Sequence, residues 1–126
     1  MTTVTYTNSQ LYNGNRPYAD VELIGPTGRS TYKSLVDTGA DYLQLPSSAA
    51  SAVGLSLSGG KTITVQGAAG GTTMTLLSGL SITIEGISIT ADVLFHSSGA
   101  SKPLLGRQAL LAAVEAGFNT KEWLWV

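Results

Sequence analysis

Hydrophobic and polar positions alternate in short runs along most of this chain, and Gly, Ser and Asn interrupt the runs. That pattern predicts many short strands. "TVTYT" (residues 3–7) and "YADVELI" (Tyr18 to Ile24) read as strands, "GPTG" (Gly25 to Gly28) as a tight reversal, and "STYKSLV" as the returning strand. "LQLPSSAASAVGL" then suggests a short helix or turn closed at Gly54. "KTITVQGAAGGTTMTLL" predicts a hairpin with arms Lys61 to Gln66 and Thr72 to Leu77 around a tip of Gly and Ala, which has no side chains to hold it down and is expected to be mobile. A second hairpin turns at Glu85 and Gly86 within "LSITIEGISITADVLF".

One stretch breaks the strand pattern. In "RQALLAAVEAG", Leu110, Leu111 and Val114 fall on one helical face and Gly117 stands where a C-terminal cap would. The chain closes on "EWLWV", an apolar strand with nothing after it to cover it, which invites a partner. The expectation is an all-β fold with one convincing helix near the C-terminus, in a single domain spanning residues 1–126.

Composition narrows the chemistry. Charged residues make up 12% of the chain, about half of the ~25% usual for soluble domains, and the formal net charge is -1. Phosphate neutralisation needs a basic excess, so nucleic acid is not an expected partner. Cysteine is absent, which excludes disulfides, thiolate metal sites and cysteine nucleophiles. His96 is the one histidine and reads as a polar strand end, not a metal ligand, and no metal or other cofactor is implied. "GGKT" (Gly59 to Thr62) has Leu55 where a phosphate loop requires Gly. No Ser sits in a nucleophile elbow. Trp123 and Trp125 alternate on a strand and suit a core or interface better than a ligand platform. No membrane-length apolar run or secretory signal occurs, so no membrane partner is expected and a cytoplasmic location is favoured.

Against this charge-poor background, Asp37 stands out. It follows "LV" at the end of an apolar strand and precedes Thr38 and Gly39. A carboxylate delivered from a buried strand is costly unless it is hydrogen-bonded or used. A Thr hydroxyl and a Gly amide are groups that can hold it, although capping its own turn is the plainer job for an Asp before Gly.

"LVDTGAD" resembles the active-site motif of the retropepsin-type aspartic proteases, and Leu104, Leu105, Gly106 and Arg107 match the family's second pattern of two apolar residues, Gly and Arg before a helix. The Gly-rich hairpin falls between them, where the family has its flap. The resemblance covers Tyr18 to Val126 and implies a closed, barrel-like β-structure with a flap hairpin and a short C-terminal helix. It further implies an aspartic endopeptidase, a hydrolase with Asp37, Thr38 and Gly39 at the catalytic turn. Substrate contacts would come from Ala40, Asp41 and the flap tip Gly67, Ala68, Ala69, Gly70 and Gly71, with support from Leu105, Gly106 and Arg107. Asp41 and Arg107 match a family ion pair, while Gln108 departs from the Asn or Asp often found next. With one Asp-Thr-Gly in the chain, the second carboxylate must come from another copy, so the resemblance implies a homodimer acting on an extended peptide or protein substrate through mainly apolar pockets, with "EWLWV" as an interface strand. A non-catalytic peptide-binding or dimerisation module of the same fold is the alternative, and an unrelated β-sandwich adhesion or carbohydrate-binding domain is a third reading.

Overall fold

The computed structural model describes residues 3–67, 70–97 and 102–126, and the side chains at 65–67 and 70–71 are not described. The expected flap residues Ala68 and Ala69 lie outside the described residues.

The "GPTG" reversal joins β2 (Tyr18–Gly25) to β3 (Gly28–Val36) in register, with Tyr18 opposite Leu35 and Gly25 opposite Gly28. Alternation sorts the faces as the pleat requires. Ala19, Val21 and Leu23 are buried while Asp20 is exposed. The remaining larger elements are β4 (Leu43–Pro46), α1 (Ser47–Ala52), β5 (Lys61–Gly67), β6 (Gly70–Ile84), β7 (Ile87–His96), β8 (Leu104–Leu105) and α2 (Arg107–Ala113). Strands β2, β3, β8, β4, β7 and β6 are hydrogen-bonded in that order, and β6 pairs back onto β2 to close a barrel with β5 on its margin. The chain is therefore all-β, a closed sheet with a short helix after β8, as the resemblance implied.

Two details explain how a single strand can serve both ends of the barrel. The expected hairpin arms Thr72 to Leu77 and Leu80 to Ile84 are one continuous strand, β6, with a register shift between Leu77 and Leu80. At that bulge Gly79 takes φ +68°, and its amide donates to the Asp92 carboxylate at 3.1 Å. The bulge bends the strand, so its first half pairs with β5 and its second with β2. At the far end, Glu85 (φ 49°) and Gly86 (φ 80°) form the two-residue turn whose left-handed backbone matches the twist of a hairpin.

The barrel interior is filled by Leu23, Leu43, Leu45, Ile82, Ile84, Val93, Phe95 and Leu105, capped by Ala49, Ala50 and Val53 from the α1 region and by Ala109 and Leu110 from α2. Leu111 departs from the sequence expectation. It is exposed because α2 turns its Ala109 and Leu110 side to the barrel, and the next residue is carried about 100° round the helix.

The termini form a separate sheet of β1 (Asn8–Leu11), β10 (Glu122–Trp125) and β9 (Ala116–Phe118), in the order β1-β10-β9. Three expectations change here. The strand begins at Asn8 and not within "TVTYT", whose Tyr6 instead donates its hydroxyl to the Ala116 carbonyl at 3.4 Å. Gly117 is a strand residue rather than a helix cap. A Cβ there would sit 2.8 Å from the Tyr6 ring, so Gly leaves room for that ring. Finally, β10 is the covered middle strand and the open edges are β1 and β9. Trp123 is fully buried and its indole N–H donates to the Tyr18 carbonyl at 3.0 Å, with Trp125 stacked on it at 4.2 Å between centroids.

Trp123 thus pins the terminal sheet to the start of β2. Trp123→Ala is expected to cost about 3–5 kcal/mol of stability, read as the shift in a urea unfolding midpoint. A loss below about 1 kcal/mol would show that the terminal sheet is held by something else.

Candidate active site

Strand β3 delivers Asp37 one residue past its last ladder pair, into a turn closed by the Ala40 amide on the Asp37 carbonyl at 3.2 Å. The carboxylate is not free to swing. Its Oδ1 accepts the Gly39 amide at 2.9 Å, the local bond that sequence reasoning anticipated from an Asp before Gly. Asp37 is partly buried, while Thr38 and Gly39 are exposed beside it.

What fixes this turn is a second strand passing behind it. Short β8 runs parallel to β3, with Leu35 opposite Leu104 and Val36 opposite Leu105, and touches β4 on its other side at Gln44. The Asp37 amide donates to the Leu105 carbonyl at 2.9 Å. Immediately afterwards the Arg107 amide donates to the Ala40 carbonyl at 2.7 Å and the Gln108 amide to the Asp41 carbonyl at 3.0 Å. Between these bonds the two backbones meet at Gly106, where a Cβ would lie 2.2 Å from the Tyr42 carbonyl oxygen. No side chain fits there, which is the physical reason for Gly after the two leucines.

Arg107 adds a side-chain bond to the same seam. Its guanidinium pairs with the Asp41 carboxylate at 2.5 Å, with the two side chains about half exposed at 50% and 59%. An exposed pair of this kind contributes little by itself, so the backbone bonds are the stronger tether. The structure therefore brings Asp37, Gly39, Ala40, Asp41, Leu105, Gly106 and Arg107 into one neighbourhood. Of the expected flap residues, Gly67 and Gly70 pair with each other at the end of the β5–β6 ladder, with Gln66 opposite Gly71.

A cleft of about 380 Å³ opens beside the turn, lined by Gly39, Ala40 and Asp41 on one side and by Ile63 and Thr64 of β5 on the other. Tyr42, Gln44 and Leu94 complete the lining. Sequence reading did not single out these last residues or the β5 pair. Leu94 is the most telling of them: it is buried yet stands outside the barrel core, a position that alternation alone does not distinguish from a core leucine.

The chain matches the family model described as "gag-polyprotein putative aspartyl protease" over residues 27–111. It belongs to that family. The matched segment runs from the β2–β3 reversal through the Asp37 turn and the β5–β6 hairpin into α2, so it contains the whole seam. No curated protein matches the sequence significantly.

In this member of the family, His96 reaches the cleft through Gln44, its ring Nε2 lying 3.2 Å from the Gln44 side-chain oxygen. Burial lowers its pKa below the ordinary 6.5. The proton is therefore bound more tightly by the unfolded chain than by the folded one, and stability falls as pH drops from 6.5 toward the folded value.

Two outcomes follow. Gly106→Ala is expected to lose at least about 2 kcal/mol, because the methyl meets backbone and not a movable side chain; denaturant titration reads it, and a neutral result would mean that the Asp37 loop tolerates displacement. His96→Gln is expected to flatten the part of the stability profile below pH 6.5, measured as melting temperature against pH. An unchanged slope would assign that dependence to the carboxylates instead.

Proposed function

We propose that this protein is an aspartic endopeptidase whose site is assembled from two copies of the chain, each supplying Asp37. The observation that carries the reading is the tethered Asp37 turn: a carboxylate held by the Gly39 amide, on a backbone bonded to β8, in a turn whose Gly39, Ala40 and Asp41 line a cleft. A site so constructed holds a carboxylate in place for chemistry at its other oxygen.

Peptide hydrolysis needs one carboxylate to take a proton and another to give one. Two carboxyl groups at contact distance do this because both cannot ionise together, so they retain one proton between them. The ionised Asp37 removes a proton from a bound water while the water oxygen bonds to the scissile carbonyl carbon. The protonated Asp37 of the second copy gives its proton to the carbonyl oxygen. The tetrahedral intermediate then loses its C–N bond as the first Asp37 gives its newly gained proton to the leaving nitrogen. The second takes a proton back from a hydroxyl of the intermediate, which yields an acid and an amine and restores the shared proton, with no covalent enzyme intermediate. Thr38, exposed beside Asp37, joins the two turns, and the β5–β6 tip covers the bound peptide.

The surface supports pairing of chains. Of the six large hydrophobic side chains exposed among the described residues, all but Leu111 of α2 (Val4, Tyr6, Leu11, Phe118 and Val126) belong to the terminal sheet or the segments flanking it. That sheet also presents the open edges of β1 and β9. Apolar groups beside an unpaired strand edge are the elements from which a two-fold interface is made.

Replacing Asp37 by Asn removes the group that ionises while keeping its shape. Asp37→Asn is expected to reduce cleavage of a diverse peptide mixture at mildly acidic pH by at least ~10²-fold, while the protein still elutes as a dimer. Cleavage at the wild-type rate by the purified variant would refute the assignment.

A further inference from the structure

A second depression, of about 400 Å³, is built on Tyr18, Leu35, Leu104 and Pro103, on the strand residues that lead into the Asp37 turn. Tyr18 pairs with Leu35, and Leu35 with Leu104, across three adjacent strands. Their chain neighbours Ala19, Val36 and Leu105 are buried in the barrel, so the three side chains form a floor on its outer surface. Leu35 precedes Asp37 by two residues. Two residues of extended chain span about 7 Å, the distance between side chains that share one face of a bound, extended peptide. A peptide whose scissile bond lies at Asp37 therefore reaches this floor with a side chain close to that bond.

The rim decides what that side chain is. Arg16, Lys33 and Lys102 stand at the rim of the floor, and among the described residues no acidic one lines it. These are three of the seven Lys and Arg residues of a chain whose net charge is -1. The Lys33 ammonium stands 5.5 Å from the centre of the Tyr18 ring, which holds it over the depression. Asp20, opposite Lys33 in the ladder, is not part of the lining. An apolar floor with a cationic rim complements a short methylene stem that ends in a carboxylate. A purely aliphatic side chain uses the floor alone, and a Lys or Arg side chain meets like charge. The expectation of mainly apolar pockets thus does not describe this one.

We propose that this depression is a subsite that selects an acidic residue, Glu foremost, next to the bond cut in the substrate. The proposal rests on the reading of Asp37 as the group that cuts. One exposed ion pair shifts a preference by about threefold and several together by about tenfold, and such a preference weakens as salt shortens the reach of the charges.

The probe is an Ala- and Leu-based peptide set in which each position in turn is Glu or Gln. Wild-type protein at low salt is expected to favour Glu over Gln by about tenfold in kcat/KM at one position flanking the cut, and the ratio should shrink when salt is raised. In Lys33→Gln/Lys102→Gln the ratio should approach one, and Lys33→Glu/Lys102→Glu should favour a Lys probe. An equal ratio in wild type and the Gln double variant overturns the subsite. The same Glu and Gln peptides titrated into Asp37→Asn protein, followed by NMR at Tyr18, Leu35 and Leu104, separate this inference from the one it rests on. Tighter binding of the Glu peptide supports the subsite even if wild-type protein cuts nothing, an outcome that defeats only the protease reading. Indistinguishable binding of the two peptides defeats the subsite whether or not cleavage occurs.

Discussion

Everything at the candidate site depends on one backbone contact, the passage of Leu104-Leu105-Gly106 behind the Asp37 turn. The amide of Asp37 is spent on Leu105, and the carbonyls of Ala40 and Asp41 are spent on Arg107 and Gln108. Those bonds join a loop at the end of β3 to the first turn of α2, elements separated by the greater part of the chain. The loop is thereby tied to the barrel through its own backbone. Gly106 sets how close the two backbones come, since anything larger would strike Tyr42.

The seam also divides the surface. On its Gly39–Tyr42 side lies the cleft shared with β5, and on its Leu35–Leu104 side lies the depression ringed by cations. The two have different chemistry although one turn separates them. The first combines small backbone-exposing residues with Ile63 and Leu94, suited to an extended chain. The second couples an apolar floor to a rim of charge. In a chain with so few charged residues, this concentration of Lys and Arg around Leu35 and Leu104 creates a local positive field that the net charge conceals.

Much of this was legible in the residues themselves. Strands β2 and β3, their Gly25–Gly28 reversal, the turn at Glu85 and Gly86 and the closure of the α1 region at Gly54 are local events, set by alternation and turn chemistry. Asp37 with Gly39 was visible for the same reason, because the bond between them spans two residues. Non-local pairing was not legible. Nothing in "LQLP" says that it runs parallel to "VLFH", and nothing in the two expected hairpins says that their adjoining arms are one strand bulged between Leu77 and Leu80. Likewise "TVTYT" alternates as well as any strand, but a strand needs a partner edge, and the edge of β10 is taken by Asn8–Leu11. The cleft residues Ile63 and Leu94 and the cationic ring were hidden because each draws its members from several strands.

The central claim is that two Asp37 turns, each locked by its own seam, come together around one substrate. A crystal structure of the protein grown with a peptide mimic carrying a tetrahedral hydroxyl at the scissile position tests it most directly. The account predicts one mimic for two chains, with the carboxyl groups of both Asp37 side chains hydrogen-bonded to that hydroxyl. A mimic bound to a single chain, with Asp37 contacting neither it nor a second copy, would contradict it.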